Sequence, residues 1–133
     1  MRGPRDARGM DVIQGLDAIT VHLTKPNQDK ARDFYTRVLG LQEVSWEHEA
    51  GRGVWKIPGG ATIVAHVMRE GEPGRPPGTV TGVMFAAHDA RASGEEIRKR
   101  GGHIVDEAWK APWGPTYVTI ADPDGNEYLL IQR

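Results

Sequence analysis

The sequence contains no cysteine. That excludes disulfides, thiol nucleophiles, and cysteine-ligated zinc or iron–sulfur centres. Serine is nearly as scarce: Ser45 and Ser93 are the only two, and neither sits in a G-x-S-x-G elbow, so serine-hydrolase chemistry has no support. Neither common glycine-rich phosphate loop occurs, which removes the sequence basis for a nucleotide cradle. Charge of one sign is not in excess, with 17 Lys+Arg against 18 Asp+Glu. No dense basic face emerges, so neither nucleic acid nor an anionic membrane is an expected partner. No apolar run approaches the roughly 20 residues that cross a bilayer, and the opening MRGPRDARGM is too polar for a secretory core. A cytoplasmic location is the default expectation.

What remains is a chain of 133 residues that is 38% hydrophobic, enough for one domain or for two small halves sharing a core. Residues 1–15 show no periodicity and read as a flexible arm. In GLDAITVHLT, Ile19, Val21 and Leu23 alternate with Thr20, His22 and Thr24, the period of a half-buried strand. Pro26 ends it. Asn27 is placed to cap a helix in which Ala31, Phe34, Tyr35 and Val38 share one apolar face, with Gly40 as the left-handed stop. Strands are expected over 41–49, 54–57 and 61–68, separated by Gly51-Arg52-Gly53 and Pro58-Gly59-Gly60. The stretch 69–78, REGEPGRPPG, reads as a linker, so the first unit spans 16–68 and the second 79–133.

The second unit repeats the order. A strand over 79–87 precedes Asp89, a second helix cap; Ala90, Ser93, Gly94 and Ile97 take the helical spacing, and Gly101-Gly102 ends the helix. Strands over 103–109, 115–121 and 126–132 complete it. Thr20 and Gly82, Asn27 and Asp89, and Gly40 and Gly102 share one offset of 62, so βαβββ is written twice. Asp122-Pro123-Asp124-Gly125 has the composition of a type I turn, and both aspartates are read as turn-forming.

The segments ARDFYTRVLGL (31–41) and ADPDGNEYLLIQ (121–132) resemble the vicinal oxygen chelate superfamily, the glyoxalase/bleomycin-resistance/extradiol-dioxygenase group. The resemblance covers roughly residues 15–132. It implies an α+β fold in which two βαβββ modules form a curled mixed sheet with an open cup and helices on the outside. It also implies either one cup closed by the two modules of a chain or modules paired across chains in a homodimer, the expected state. The fold alone does not settle function, since the superfamily hosts binding proteins as well as enzymes.

The superfamily's metal enzymes draw ligands from four positions, which fall here on Thr20, Val64, Gly82 and Leu129. None suits a divalent cation, so no cofactor is expected. Strand parity puts His22, His66 and Glu127 on the cup side, each two residues from such a position. That displaced trio is the alternative set for Fe, Mn, Ni or Zn, or for metal-free acid/base work. His48, His88 and His103 read as surface residues. Trp46, Trp55, Trp109 and Trp113 are too much aromatic area for one small core, and some are expected to line a pocket with Tyr117 as a hydroxyl donor. The expected ligand set is therefore Thr20, His22, Trp46, Trp55, Val64, His66, Met84, Trp109, Trp113, Tyr117 and Leu129. The reading that follows is a small-molecule-binding protein of the glyoxalase/bleomycin-resistance type, holding an aromatic or hydrophobic ligand. The alternative is an enzyme of that superfamily: a lyase, an isomerase or epimerase, or a dioxygenase.

Overall fold

A computed structural model describes residues 12–133; residues 1–11, most of the expected arm, lie outside the described residues. Eight strands and two helices follow in the order β1 (Ala18–Leu23), α1 (Gln28–Asp33), β2 (Gln42–Glu47), β3 (Arg52–Lys56), β4 (Thr62–Val67), β5 (Val80–Ala86), α2 (Ala90–Lys99), β6 (His103–Lys110), β7 (Thr116–Ala121) and β8 (Glu127–Gln132). A 3₁₀ turn over Lys25–Asn27 leads into α1, and a π-helical turn over Phe34–Val38 continues it. Each module folds into a four-stranded mixed sheet, ordered β1-β4-β3-β2 and β5-β8-β7-β6. In each, the first strand pairs parallel with the last and the others pair antiparallel. The curled, open α+β architecture expected from the sequence is the one observed.

Alternation dictates the faces. Val21 and Leu23 are buried on the helix side of β1, whereas Thr20 is exposed on the other side. The apolar stripe of the first helix is buried in full: Ala31, Phe34, Tyr35 and Val38. In α2 the equivalent residues are Ala90, Gly94 and Ile97. The helix-side residues of both modules, among them Trp55, Ile63, Val118, Ile120, Tyr128 and Leu130, form one continuous core.

Local chemistry follows the sequence signals with two corrections. Asp89 caps α2 by accepting from Ala92 N at 3.0 Å. Asn27 precedes α1 but makes no side-chain cap; its amide reaches Asp124 Oδ1 at 2.7 Å instead. The first hairpin turns earlier than expected, with Gly51 N donating to His48 O, so that Arg52 and Gly53 already belong to β3. Gly53 is needed there for space: a Cβ would lie 2.3 Å from the Trp55 ring and 2.8 Å from that of Trp46. The DPDG turn closes as expected, with Gly125 N donating to Asp122 O at 2.9 Å and Gly125 at φ +86°. The described residues contain no helix long and apolar enough to cross a membrane.

Candidate functional site

On the face of the second sheet away from the helices, five residues singled out in the sequence meet in one cleft of about 510 Å³: Met84, Trp109, Trp113, Tyr117 and Leu129. Their meeting is a matter of strand register. Met84 of β5 pairs with Leu129 of β8, Leu129 with Thr119 of β7, and Tyr117 of β7 with Trp109 of β6. The loop after β6 then folds Trp113 back, 5.4 Å from Trp109 in an edge-to-face contact, while Tyr117 stacks on Trp109 at 6.2 Å. Trp113 Nε1 donates to the Tyr117 hydroxyl at 3.2 Å. The hydroxyl so engaged keeps its own proton to donate. Asp106 supplies charge at the rim of an otherwise apolar wall, while the neighbouring Glu107 carboxylate is ion-paired with Arg98. Trp113 is 67% exposed and Trp109 52%.

The other two tryptophans lie elsewhere. Trp55, expected in a pocket, is 0% exposed and belongs to the core, donating to Thr36 Oγ1 at 2.9 Å. Trp46 sits beside it at 6.2 Å with the Arg32 guanidinium 5.5 Å above its ring. The reason is a bulge between Glu43 and Ser45, which reverses the alternation and turns Trp46 to the helix side. Thr20 and Val64 are direct register partners on the other face of the first sheet, remote in the chain from the aromatic wall.

His22 and His66 are also register partners on β1 and β4, their rings 4.7 Å apart and perpendicular. The carboxylate that joins them is Glu72, from the segment between β4 and β5. Its Oε2 lies 3.0 Å from His22 Nε2 and 2.5 Å from His66 Nε2. The hydrogen bond from His66 and one from the Arg69 backbone N–H hold the Glu72 carboxyl down at about 2. His22 Nδ1 donates to the Arg75 carbonyl at 2.5 Å. Glu127, chosen for this role from strand parity, instead opens β8 in the second sheet, opposite Val80 and Ala121. Parity identifies a face but not which sheet shares a site, and a Pro/Gly-rich linker gives no periodic signal for Glu72. The short spacing His66…Glu72 is the one signal that the sequence carries for it. His48, His88 and His103 are exposed, as expected.

Thr20, Val64, Gly82 and Leu129, the residues onto which the resemblance carries the superfamily's metal-ligand positions, offer one hydroxyl, two hydrocarbon side chains and no side chain at all. That donor set does not fit a divalent cation.

Comparison with known proteins agrees with the fold. The structure resembles a glyoxalase/bleomycin resistance protein/dioxygenase superfamily member from Sphaerobacter thermophilus, at 26% identity and a TM-score of 0.76 over 91% of this chain and 98% of that one. It also resembles TnmS3, an antibiotic binding protein from Streptomyces sp. CB03234, at 24% identity and a TM-score of 0.73 over 92% and 98%. TioX from Micromonospora sp. ML1 follows the same path at 20% identity, with a TM-score of 0.69 over 89% and 98%. No curated protein matches. The family model of the Glyoxalase/Bleomycin resistance protein/Dioxygenase superfamily matches residues 15–129, and the chain belongs to that superfamily.

Proposed function

We propose that this chain binds a planar aromatic or hydrophobic small molecule against the wall formed by Met84, Trp109, Trp113, Tyr117 and Leu129. The observation that carries this reading is the exposure of two neighbouring indoles, Trp109 at 52% and Trp113 at 67%, in a cleft of about 510 Å³. Apolar surface of that kind, fixed by stacking and rimmed by the Asp106 carboxylate, marks a binding face. Flat rings take up a planar ligand with little loss of side-chain entropy. Tyr117 supplies one directional hydrogen bond. An antibiotic-binding protein, TnmS3, shares this fold, which supports the ligand class.

The wall is one side of a cup. A second copy of the chain, presenting the first-sheet face with Thr20 and Val64, completes it in the proposed homodimer, which has two equivalent pockets. Neither nucleic acid nor membrane is a proposed partner, and the cytoplasm is the proposed location.

The test is a panel of polycyclic aromatic antibiotics and metabolites screened by indole fluorescence and thermal shift. A binder is expected to quench fluorescence and raise the melting temperature in wild type, with at least about a tenfold loss of affinity in Trp113→Ala, whose ring carries much of the contact area. If saturating concentrations of every compound leave both signals unmoved, the reading fails.

A further inference from the structure

We infer that His22, His66 and Glu72 form a site for one divalent transition-metal ion, a two-imidazole, one-carboxylate centre between the first sheet and the linker. It goes beyond the ligand-binding reading and does not depend on it. Nor is it the superfamily's own metal position, which falls on Thr20 and Val64 in these two strands; the site lies two residues further along both and takes its carboxylate from the linker.

First, the donor atoms already converge: the three ligand atoms lie within 4.8 Å of one another. Around Zn²⁺, bond lengths of about 2.0–2.2 Å place neighbouring ligand atoms about 3–3.5 Å apart. His22 Nε2 and Glu72 Oε2 stand at 3.0 Å, so a small rotation of the half-buried Glu72 opens the space for an ion.

Second, the tautomer of His22 is set by its surroundings. A carbonyl oxygen only accepts, so the 2.5 Å contact with Arg75 O requires a proton on Nδ1. In the neutral ring Nε2 is then a bare lone pair aimed at a carboxylate oxygen. Two acceptors at 3.0 Å repel unless a cation lies between them, and a metal ion is one such cation. A ligating imidazole whose other nitrogen donates to a backbone carbonyl is also the usual outer arrangement of metal sites. The carboxylate is likewise braced, since Arg69 N donates to Glu72 Oε1 at 3.1 Å.

Third, the donor chemistry selects the class of ion. Two imidazoles and one carboxylate suit Zn²⁺, Fe²⁺, Co²⁺ or Ni²⁺ and disfavour Mg²⁺ or Ca²⁺. Three protein ligands leave at least one position for water or an exogenous donor. His22 is almost fully buried, whereas His66 and Glu72 are about a quarter exposed, so solvent-borne ions have a route in.

The experiment uses the full, untagged chain, stripped with a chelator and titrated with Zn²⁺ by calorimetry, with metal counted by mass spectrometry after dialysis. One Zn²⁺ per chain is expected, with affinity falling at least about tenfold in both His66→Ala and Glu72→Gln and unchanged in Glu127→Gln. A zinc-dependent rise in melting temperature in wild type gives a second readout that needs no variant. Mg²⁺ run in parallel is expected to produce neither signal. The inference is overturned if wild type binds no stoichiometric Zn²⁺, which leaves a proton as the cation between His22 and Glu72. It is equally overturned if the His66 and Glu72 substitutions leave binding intact.

Discussion

Asn126 is 0% exposed and uses its whole carboxamide. Its Nδ2 donates to His22 O at 3.0 Å and to Asp122 Oδ2 at 2.9 Å, and its Oδ1 accepts from Gly78 N at 2.9 Å and Thr79 N at 3.2 Å. One side chain thus fastens β1, the end of the linker and the DPDG turn together. Asn126→Ala strands a buried carbonyl and two amides, so we expect a loss of about 2–4 kcal/mol in urea denaturation; a change below about 0.5 kcal/mol means that water replaces the lost partners. Next to it, Tyr35 OH donates to Asp122 Oδ2 at 2.7 Å and also meets Tyr128 OH at 2.7 Å. Burial raises both phenols above their ordinary value. Burial also raises the Asp122 carboxyl, while the hydrogen bonds from Tyr35 and Asn126 pull it down. For the phenols the sign is fixed: the folded chain keeps protons that the unfolded chain releases from about pH 10. The stability so contributed is whole below that pH and is lost as pH rises toward the folded-state values. Stability of the wild type is therefore expected to fall above about pH 10, and less steeply in Tyr128→Phe; equal slopes would show that the phenols are not the cause.

Elements place these residues, and at this scale the sequence was legible wherever periodicity ran unbroken. Alternation in β1 assigned Val21 and Leu23 to the core and Thr20 away from it; helical spacing assigned Ala31, Phe34, Tyr35 and Val38 to one buried stripe. The strand ends fell within about two residues of those expected. Legibility stopped where a single residue broke the period. The bulge in β2 moved Trp46 from one face to the other, and nothing in the composition of QEVSWE announces an extra residue. The number of tryptophans does not say which of them is core, but Gly53, two residues before Trp55, marks a close approach. A linker has no faces, so nothing periodic points to Glu72, and a good cap residue such as Asn27 is equally a good long-range donor. The Gly53 position yields a test of the corrected reading. In Gly53→Ala the methyl group meets the Trp55 and Trp46 rings at well under contact distance, the Trp55 ring is fully buried, and a loss of about 1–3 kcal/mol is expected. Denaturation followed by indole fluorescence reads both the loss and the displaced rings. A neutral substitution would mean that Trp46 swings outward, which its perch beneath Arg32 argues against.

For the whole molecule the question is what covers the faces that the helices do not. The two sheets share one core on their helix sides, so their other faces look outward. Those faces and their edges carry Val44, Val80 and Met84, all about half exposed or more, beside Trp109 and Trp113. A monomer of this size seldom leaves so much apolar side chain in water. Strands β1 and β5 also end their sheets, and an uncovered edge strand invites pairing. In the proposed homodimer a second copy would lay its first sheet against the partner's second and so enclose the aromatic wall on its open side. Light scattering on the eluting protein is therefore expected to give twice the chain mass. Met84→Glu, a charge on the wall away from the core, is expected to shift the equilibrium toward monomer by at least about tenfold, since an unpaired buried carboxylate is strongly disfavoured at an interface. Ligand quenching should weaken in the same variant and with dilution of wild type, because a half-cup offers one wall in place of two. A chain that stays monomeric at tens of micromolar yet binds its ligand unchanged would confine the pocket to the second module alone.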